Sequence, residues 1–174
     1  MTQQRTLKVE RLGLVEYGAA LEIQKQTERA VLTGSQPDTL LLLEHPHTLT
    51  LGRRSAQNGI MAPEEILKAR GVSVFETNRG GKVAAIGVHI ARWVTTHGFA
   101  LNVNTDLSYF NLIIACEGEP VTSMKELLGR EVEMSEVEDR IIERFAEVFE
   151  MEIDGHRGTE TQRIKQKEPT TVSV

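Results

Sequence analysis

The period of the hydrophobic pattern changes within the first part of the chain. Apolar and polar residues alternate over 7–15 (LKVERLGLV), as in a β-strand with one exposed face. From Glu16 to about Leu32 the apolar residues recur at helical spacing instead, and the stop signals Gly34 and Pro37 follow. This part of the chain therefore predicts a strand followed by a helix.

Further strands and one short helix are predicted in the middle of the chain. The apolar run at 38–45 (DTLLLLEH) has the length and composition of a buried central strand. Residues 47–52 alternate and predict a neighbouring strand, joined to the buried one by a turn at Pro46. Residues 62–71 predict a short helix, and 72–77 predict another strand.

Three apolar segments then follow one another at 82–90, 92–98 and 99–105. Little more than single glycines separates them, so the connections are too short for crossover helices. Antiparallel strands can be joined by such tight turns, whereas parallel strands cannot. This region predicts an antiparallel meander of three strands.

Two capping signals predict the helices that come after the meander. Ser123 and Glu126 have the spacing of a capping box at the start of a helix over 122–129, and Ser135 and Glu138 repeat it. The second helix has an apolar stripe formed by Val137, Ile141, Phe145 and Val148.

Strands and helices are mixed without strict βαβ alternation, which predicts an α+β fold with a mixed or antiparallel sheet and flanking helices. A chain of 174 residues is long enough for one domain with its own core. We assign that domain to 1–153. The remainder, 154–174, contains almost no large apolar residues and predicts a disordered tail.

Composition narrows the classes of function. The net charge of −5 argues against a dominant nucleic-acid-binding surface. No apolar run approaches the length of a membrane helix, and the first residues lack the apolar core of a signal peptide. A single cysteine excludes an internal disulfide. These features predict a cytoplasmic protein without nucleic-acid or membrane partners.

Cys116 and Lys82 are the candidates for nucleophilic chemistry. Cys116 follows the apolar run LIIA and precedes EGEP, where the chain leaves its strand, so it is either a nucleophile presented at a strand end or a small buried hydrophobic residue. A reactive thiolate needs a nearby cation. Lys82 is such a cation, although a solvated lysine at a strand end has the same pattern.

Glycines interrupt the strands of the predicted meander. Gly87 and Gly98 fall within apolar stretches, where a glycine marks a bulge or a close approach by another group. Together they could form a slot for an apolar chain, or they could reflect packing alone. The five histidines have no metal-ligand spacing, so we predict no metal site, and there is no phosphate-binding glycine loop.

Several blocks of the sequence resemble, in order, those of the lipoyl(octanoyl) transferases. They are LLLEHPHTLTLGRR, NRGG, KVAAIGVHI, THGFALNVNTDLSYFNLIIAC and VTSM, and the resemblance extends from about Leu7 to Phe149. It implies the fold of the catalytic domains of biotin and lipoate protein ligases. It also implies transfer of an octanoyl group from octanoyl-acyl carrier protein to a lysine, with no cofactor. The implied acceptors are the lipoyl domains of 2-oxoacid dehydrogenases and the glycine cleavage H protein.

The resemblance also implies residue roles. Cys116 becomes the acyl-thioester nucleophile, and Lys82 becomes the residue that lowers its pKa. The implied substrate-binding residues, several of which would line a slot for the acyl chain, are Arg79, Gly80, Gly81, Lys82, Val83, Ala85, Ile86, Gly87, Gly98, Phe99 and Ala100.

One stretch departs from the pattern of the family. After its arginine-glycine-glycine motif the family has a Thr-Tyr-His-Gly-Pro-Gly-Gln stretch, further strands and a helix before the lysine strand. Here TNRGGKVAAIGV at 77–88 passes directly from one motif to the other. We therefore predict an internal deletion between Gly81 and Ala84.

The deletion leaves a second hypothesis for function. Without the missing block the chain is either an active acyltransferase or an impaired remnant that at most binds acyl carrier protein or lipoyl domains. A ligase that uses ATP is disfavoured by Cys116 and by the lack of a nucleotide loop. For an acidic carrier protein, the predicted basic landing patch consists of Arg53, Arg54, Arg79 and Lys82.

Overall fold

The computed structural model describes residues 5–52, 60–77, 84–112, 121–154 and 171–173. The strands are β1 (Arg5–Leu14), β2 (Asp38–His45), β3 (Thr48–Gly52), β4 (Ser73–Thr77), β5 (Ala84–Ala91), β6 (Val94–Leu101), β7 (Met151–Ile153) and β8 (Thr171–Ser173). The helices are α1 (Tyr17–Leu32), α2 (Glu64–Ala69), α3 (Met124–Leu128), α4 (Met134–Val148) and a 3-10 helix (Leu107–Leu112). Within these described ranges, no helix is both long enough and apolar enough to cross a membrane.

Six strands form the main sheet, in the order β5-β6-β8-β2-β1-β7. β1 is parallel to β2 and to β7, and α1 connects β1 to β2. On the other side, β8 is antiparallel to both β2 and β6, and β5 is antiparallel to β6. This mixed sheet with helices around it confirms the predicted α+β fold. A separate pair of parallel strands, β3 and β4, lies apart from the main sheet.

The main core lies between α4 and one face of β1 and β2. Alternate strand positions share a face, so Leu40 and Leu42 point towards Ile142 and Ala146 of α4, and Leu7 joins them from β1. Two smaller clusters surround α2 and the start of α4; their buried members are Leu49, Leu67, Val72 and Leu112 in one, and Val103, Val132 and Val137 in the other.

The sequence predicts that β3 lies next to β2 in one sheet, and this prediction is wrong. β3 pairs with β4, and Ser73 N–H donates to the carbonyl of His47 at 3.0 Å where that ladder begins. Leu49 of β3 is buried against Leu67 of α2 and against Val72, which follows α2. β3 therefore lies apart from the main sheet, because Leu49 is buried beside α2.

The predicted three-stranded meander is a hairpin of two strands. Val94–Leu101 is one continuous strand, and its ladder with β5 shows no register shift from Val94 to Leu101. His97 (φ 63°) and Gly98 (φ 156°) have unusual backbone angles, but they stay in the ladder. Gly98 accommodates a local change of direction, and the strand does not end there.

The helical predictions need smaller corrections. Ser123 caps α3 as predicted, because its Oγ accepts a hydrogen bond from Glu126 N–H at 3.2 Å. The N-cap of α4 is Glu133 instead of Ser135. Val148 is 71% exposed and does not belong to the buried stripe, since the helix turns Ile142 and Ala146 towards the core at its C-terminal half.

The predicted disordered tail differs from the structure at one point. Thr171–Ser173 forms β8, which fills the position between β2 and β6 in the main sheet. Pairing with both neighbours supplies backbone hydrogen bonds, and these do not depend on large apolar side chains. Residues 155–170 lie outside the described part of the chain.

Candidate functional site

The six residues predicted to line an acyl slot come together in the β5–β6 hairpin. They form three directly opposed pairs, Ala85 with Ala100, Ile86 with Phe99, and Gly87 with Gly98. Opposed residues of an antiparallel pair point to the same face, so Ile86 and Phe99 lie on one face and the two smaller pairs on the other. The sequence motif AIG and the motif GFA are thus a single patch of the sheet.

A turn of two residues fixes the register of this patch. Ala91 pairs with Val94, and the intervening Arg92 (φ 50°) and Trp93 (φ 66°) both have positive φ. Positive φ at both central residues is what a type I′ hairpin turn requires, and this turn matches the twist of the flanking strands. Because a slip by one residue would reverse every side chain, the turn places Ile86 opposite Phe99.

A groove of about 500 Å³ runs between the hairpin and α1. Ile86, Gly98 and Phe99 from the predicted slot line it. From α1 the lining residues recur at helical spacing, and they are Tyr17, Ala20, Leu21, Gln24, Thr27, Glu28 and Val31. Leu41 and Leu43 of β2 also line the groove, as do Phe145 of α4 and Phe149, which directly follows α4. The groove has the volume and the mostly apolar lining of a site for an apolar ligand.

An aromatic cluster forms one part of the groove wall. Tyr17 lies with its ring centroid 4.9 Å from His45 and 4.6 Å from Phe75. His45 is buried, and its Nδ1 is 2.7 Å from the carbonyl oxygen of Val15. Since a carbonyl only accepts, Nδ1 carries the proton, and the contact holds the imidazole plane against Tyr17. This wall joins α1 to the end of β2.

Hydrogen bonds anchor the described chain on both sides of residues 113–120, which contain Cys116 and lie outside the described part. Before these residues, the carbonyl of Leu112 accepts hydrogen bonds from the N–H groups of Met61 and Ala62, at 2.9 and 3.2 Å. After them, Asn102 Nδ2 donates to the carbonyl of Thr122 at 3.3 Å. The first anchor comes from the residues just before α2, and the second comes from the residue that follows β6.

A buried asparagine strengthens the second anchor. Asn104 donates from Nδ2 to the carbonyl of Val132 at 2.8 Å, and its Oδ1 accepts from Val132 N–H at 3.0 Å. The N–H groups of Met124 and Lys125 donate to the carbonyls of Asn102 and Val103, at 2.8 and 2.9 Å. The loop after β6 thus holds together the start of α3 and Val132, which lies two residues before α4.

A polar cluster lies beside the first anchor. His47 stacks on Tyr109, with ring centroids 4.1 Å apart, and the Arg70 guanidinium lies 6.0 Å from the Tyr109 ring. The hydrogen bond from Ser108 N–H to Asp106, together with the nearby charges of His47 and Arg70, holds the pKa of the Asp106 carboxyl below its usual value. Negative charge at Asp106 is therefore favoured in the folded protein.

Half of the predicted site lies outside the described residues. It includes both catalytic candidates, Cys116 and Lys82, and the substrate-binding residues Arg79, Gly80, Gly81 and Val83, as well as Arg53 and Arg54 of the predicted landing patch. Lys82 stands two positions before β5 and Cys116 four positions after the 3-10 helix. No group of three or more potential metal ligands occurs among the residues that the structure describes.

Sequence reasoning missed the α1 side of the groove. The sequence nevertheless contains a signal for a groove on this helix. One face of α1 is mostly apolar but is interrupted by Gln24 and its polar neighbours. The residues that share this face include Tyr17, Leu21, Gln24 and Val31. A mixed face of this kind is compatible with a partly open groove. The sequence gives no indication that His45 contacts the carbonyl of Val15.

Comparison with known proteins gives a consistent result. The family model described as the lipoyl protein ligase A/B catalytic domain matches residues 16–83 and 80–146. The chain is 35% identical to an octanoyltransferase of Solibacter usitatus, over 86% of this chain and 96% of that protein. It is 34% identical to an octanoyltransferase of Roseiflexus sp. (strain RS-1), over 85% of this chain and 89% of that protein.

Among solved structures, the fold is similar to that of a bi-partite lipoate protein ligase from Thermoplasma acidophilum. The TM-score is 0.53 at 11% sequence identity, and the match covers 92% of this chain and 88% of the other. At this identity the likeness concerns the fold alone.

The comparisons also bear on the unusual stretch at 77–88. The family model matches in two segments that meet and overlap at 80–83. The alignment with the Solibacter protein spans 211 positions, but 86% of a 174-residue chain is only about 150 residues, so roughly 60 positions of that protein have no counterpart here. The junction of the two matched segments coincides with the predicted deletion.

Proposed function

Since this chain belongs to the octanoyltransferase family, we propose that it transfers an octanoyl group from octanoyl-acyl carrier protein to a lysine through a thioester on Cys116. The proposed acceptors are the lipoyl domains of 2-oxoacid dehydrogenases and the glycine cleavage H protein. The reaction would be an early step of protein lipoylation, and it needs no cofactor.

The observation that carries the proposal is the arrangement of the hairpin. All six predicted slot residues occupy three adjacent cross-strand pairs, and three of them line a groove of about 500 Å³. The paired glycines leave room at the backbone, while Ile86 and Phe99 offer apolar contact to an acyl chain. Thr122, which follows the segment of Cys116 along the chain, accepts a hydrogen bond from Asn102 just after β6 of the same hairpin.

The chemistry of the proposed reaction is balanced in two steps. The thiolate of Cys116 attacks the thioester carbonyl of the donor, and the carrier thiol leaves with a proton. The Lys82 ammonium lowers the pKa of the Cys116 thiol and can supply that proton. The amine of the acceptor lysine then attacks the acyl-enzyme, forming an amide and returning the cysteine thiol.

A remnant that binds without catalysis is the second candidate function. It is favoured by the roughly 60 positions of the Solibacter protein that this chain lacks, because catalysis depends strongly on positioning. On this alternative, the groove persists, but Cys116 does not acquire an acyl group. The two candidates differ in one measurable event, the acylation of Cys116.

Intact mass spectrometry after incubation with octanoyl-acyl carrier protein tests this event. We expect an octanoyl adduct on the parent protein and none on Cys116→Ser, with circular dichroism showing that both are folded. Lys82→Met should slow adduct formation and raise the apparent pKa of Cys116 alkylation. A folded parent that stays unmodified would support the remnant.

A matched pair of variants tests the acyl slot. Ile86 lines the groove, whereas Ile90 lies on the same face of β5 but outside the lining. Ile86→Trp should lower the rate of octanoyl adduct formation by about tenfold or more, because the added volume fills the slot. Ile90→Trp should leave the rate within about twofold of the parent. Equal rates for the two variants would remove the hairpin from the proposed slot.

The proposed landing patch has a separate test. Arg53 and Arg54 carry positive charge that an acidic carrier protein would contact. The double charge reversal Arg53→Glu with Arg54→Glu should weaken carrier-protein binding, and the loss should be greatest at low salt. Unchanged binding would exclude these two arginines from the docking surface.

A further inference from the structure

β5 forms one edge of the main sheet and lacks the features that usually protect an edge. Among the described strands it pairs only with β6. Its eight residues, AAIGVHIA, include no proline, lysine, arginine or acidic residue. Natural edge strands normally carry such residues, because an open row of N–H and C=O groups pairs readily with another strand.

The same strand exposes three β-branched side chains on one face. Ile86 is 73% exposed, Val88 54% and Ile90 63%. They occupy alternate positions and so form a continuous apolar strip along the edge. Isolated exposed apolar residues are common, but a strip at an open sheet edge marks an interaction surface.

The sequence of β5 reads nearly the same in both directions about Val88. Ile86 and Ile90 lie at equal distances from this centre, and so do Ala85 and Ala91. An antiparallel pair of identical strands opposes residues that are equidistant from the twofold axis. An axis at Val88 therefore places Val88 against Val88 of the second copy and Ile86 against Ile90 of the second copy.

We propose that two copies of this chain associate through antiparallel pairing of their β5 strands about a twofold axis at Val88. The main sheets of the two copies then form one continuous sheet. Six β-branched side chains join in a single strip, and cross-strand pairs of this type stabilise sheets. The occupant of the edge is a second copy because a strand unrelated to β5 has no reason to match this symmetry.

The charges on the strand agree with this register. His89 is the only ionisable residue within Ala84–Ala91, and the twofold axis places it opposite Gly87 of the second copy. No like charges of β5 then meet across the interface. The two chains each carry a net charge of −5, so their general repulsion is screened by salt and the dimer should tighten as salt is raised.

Charge variants at the axis give the sharpest test. Val88→Lys and Val88→Glu each place two like charges opposite each other, and each should weaken the dimer by about tenfold or more in sedimentation equilibrium. An equimolar mixture of the two should recover the dimer as a heterodimer, because lysine then faces glutamate. Thr95→Lys is the matched control, since Thr95 is exposed on the same face but belongs to β6.

Cysteine crosslinking gives an independent test if a charge variant fails to fold. In the Cys116→Ser background, Val88→Cys should form an intermolecular disulfide under mild oxidation, because opposed Cβ atoms lie within about 4.5–5.5 Å. Thr95→Cys should not. A monomeric parent at all concentrations would overturn the proposal. A dimer that Val88→Lys and Val88→Glu leave unchanged, or that the mixture fails to restore, would overturn it too.

Discussion

Two regions of the sheet contain similar aliphatic residues in opposite environments. In β2, Leu40, Leu42 and Leu43 are all buried, with Leu42 fully inaccessible. In β5, Ile86, Val88 and Ile90 are all more than half exposed. Both strands read as apolar runs, so the difference does not lie in the hydrophobicity of their residues.

Neighbouring elements explain the contrast. β2 has strands on both sides, α4 against Leu40 and Leu42 on one face, and the Tyr17 side of α1 near His45 on the other. Among the described strands β5 has one neighbour, and the groove separates its apolar strip from α1. The first region therefore stabilises the fold, whereas the second leaves apolar side chains exposed.

Truncation of one side chain in each region should give the largest contrast. Leu42→Ala removes a fully buried side chain from the main core and should lower the free energy of unfolding by about 2–5 kcal/mol. Ile90→Ala should change it by about 0.5 kcal/mol or less. Urea unfolding in the monomeric Val88→Lys background separates this effect from self-association. Similar losses at the two sites would contradict the division into two regions.

The next largest effect on stability is expected in the loop after β6, where Asn104 holds Val132. Asn104→Ala leaves the N–H and the carbonyl of buried Val132 without their partners and should cost about 2–3 kcal/mol in unfolding free energy. Asn111→Ala, at an exposed asparagine, is the control and should change little. If the two variants unfolded alike, Asn104 would not be the link between β6 and α4.

A substitution in the turn of the β5–β6 hairpin should instead raise the stability of the protein. Trp93 is 99% exposed and has positive φ, so its side chain has almost no contacts to lose. Trp93→Gly should stabilise the protein by about 1 kcal/mol, because glycine adopts this angle without steric cost. Trp93→Ala keeps the Cβ atom and should show no such gain in thermal unfolding. Destabilisation by glycine would mean that the indole supports the hairpin.

The smallest predicted effect concerns pH. The pKa of Asp106 is lowered in the folded protein, chiefly by the hydrogen bond from Ser108 N–H. Its ionised form therefore adds stability above the ordinary carboxyl pKa, and this contribution is lost as the pH falls through the lower folded value. Because Asp106 is exposed, the effect is small. Asp106→Asn should lose slightly less stability on acidification than the parent, and parallel curves of melting temperature against pH would contradict this.

Much of the local structure follows from the sequence alone. The bounds of β2 and β4, the capping role of Ser123 and the extent of α1 agree with their patterns, because each depends on neighbours within a few residues. The motifs of the family also single out six residues that the structure brings together in the β5–β6 hairpin. The position of β3, by contrast, depends on the burial of Leu49 against Leu67, which lies far away along the chain.

In the candidate site, too, some features follow from the local sequence and others depend on distant contacts. The motifs AIG and GFA can be recognised in the sequence alone. The pairing of Ile86 with Phe99 depends on the strand register, which is set by the turn at Arg92 and Trp93. The contact of His45 with Val15 has no local signal, since the two residues meet only when β1 and β2 pair.

For this protein, the sequence by itself determined the family, the fold class, most helices and strands, and the residues to consider for acyl transfer. Only the tertiary structure decided that β5 is the outermost described strand of the main sheet, that α1 and the hairpin enclose a groove, and that β3 lies apart from the main sheet. The physical reason is the range of the interactions. Propensity, capping and alternation act over a few residues, whereas burial and strand pairing depend on which distant segments meet.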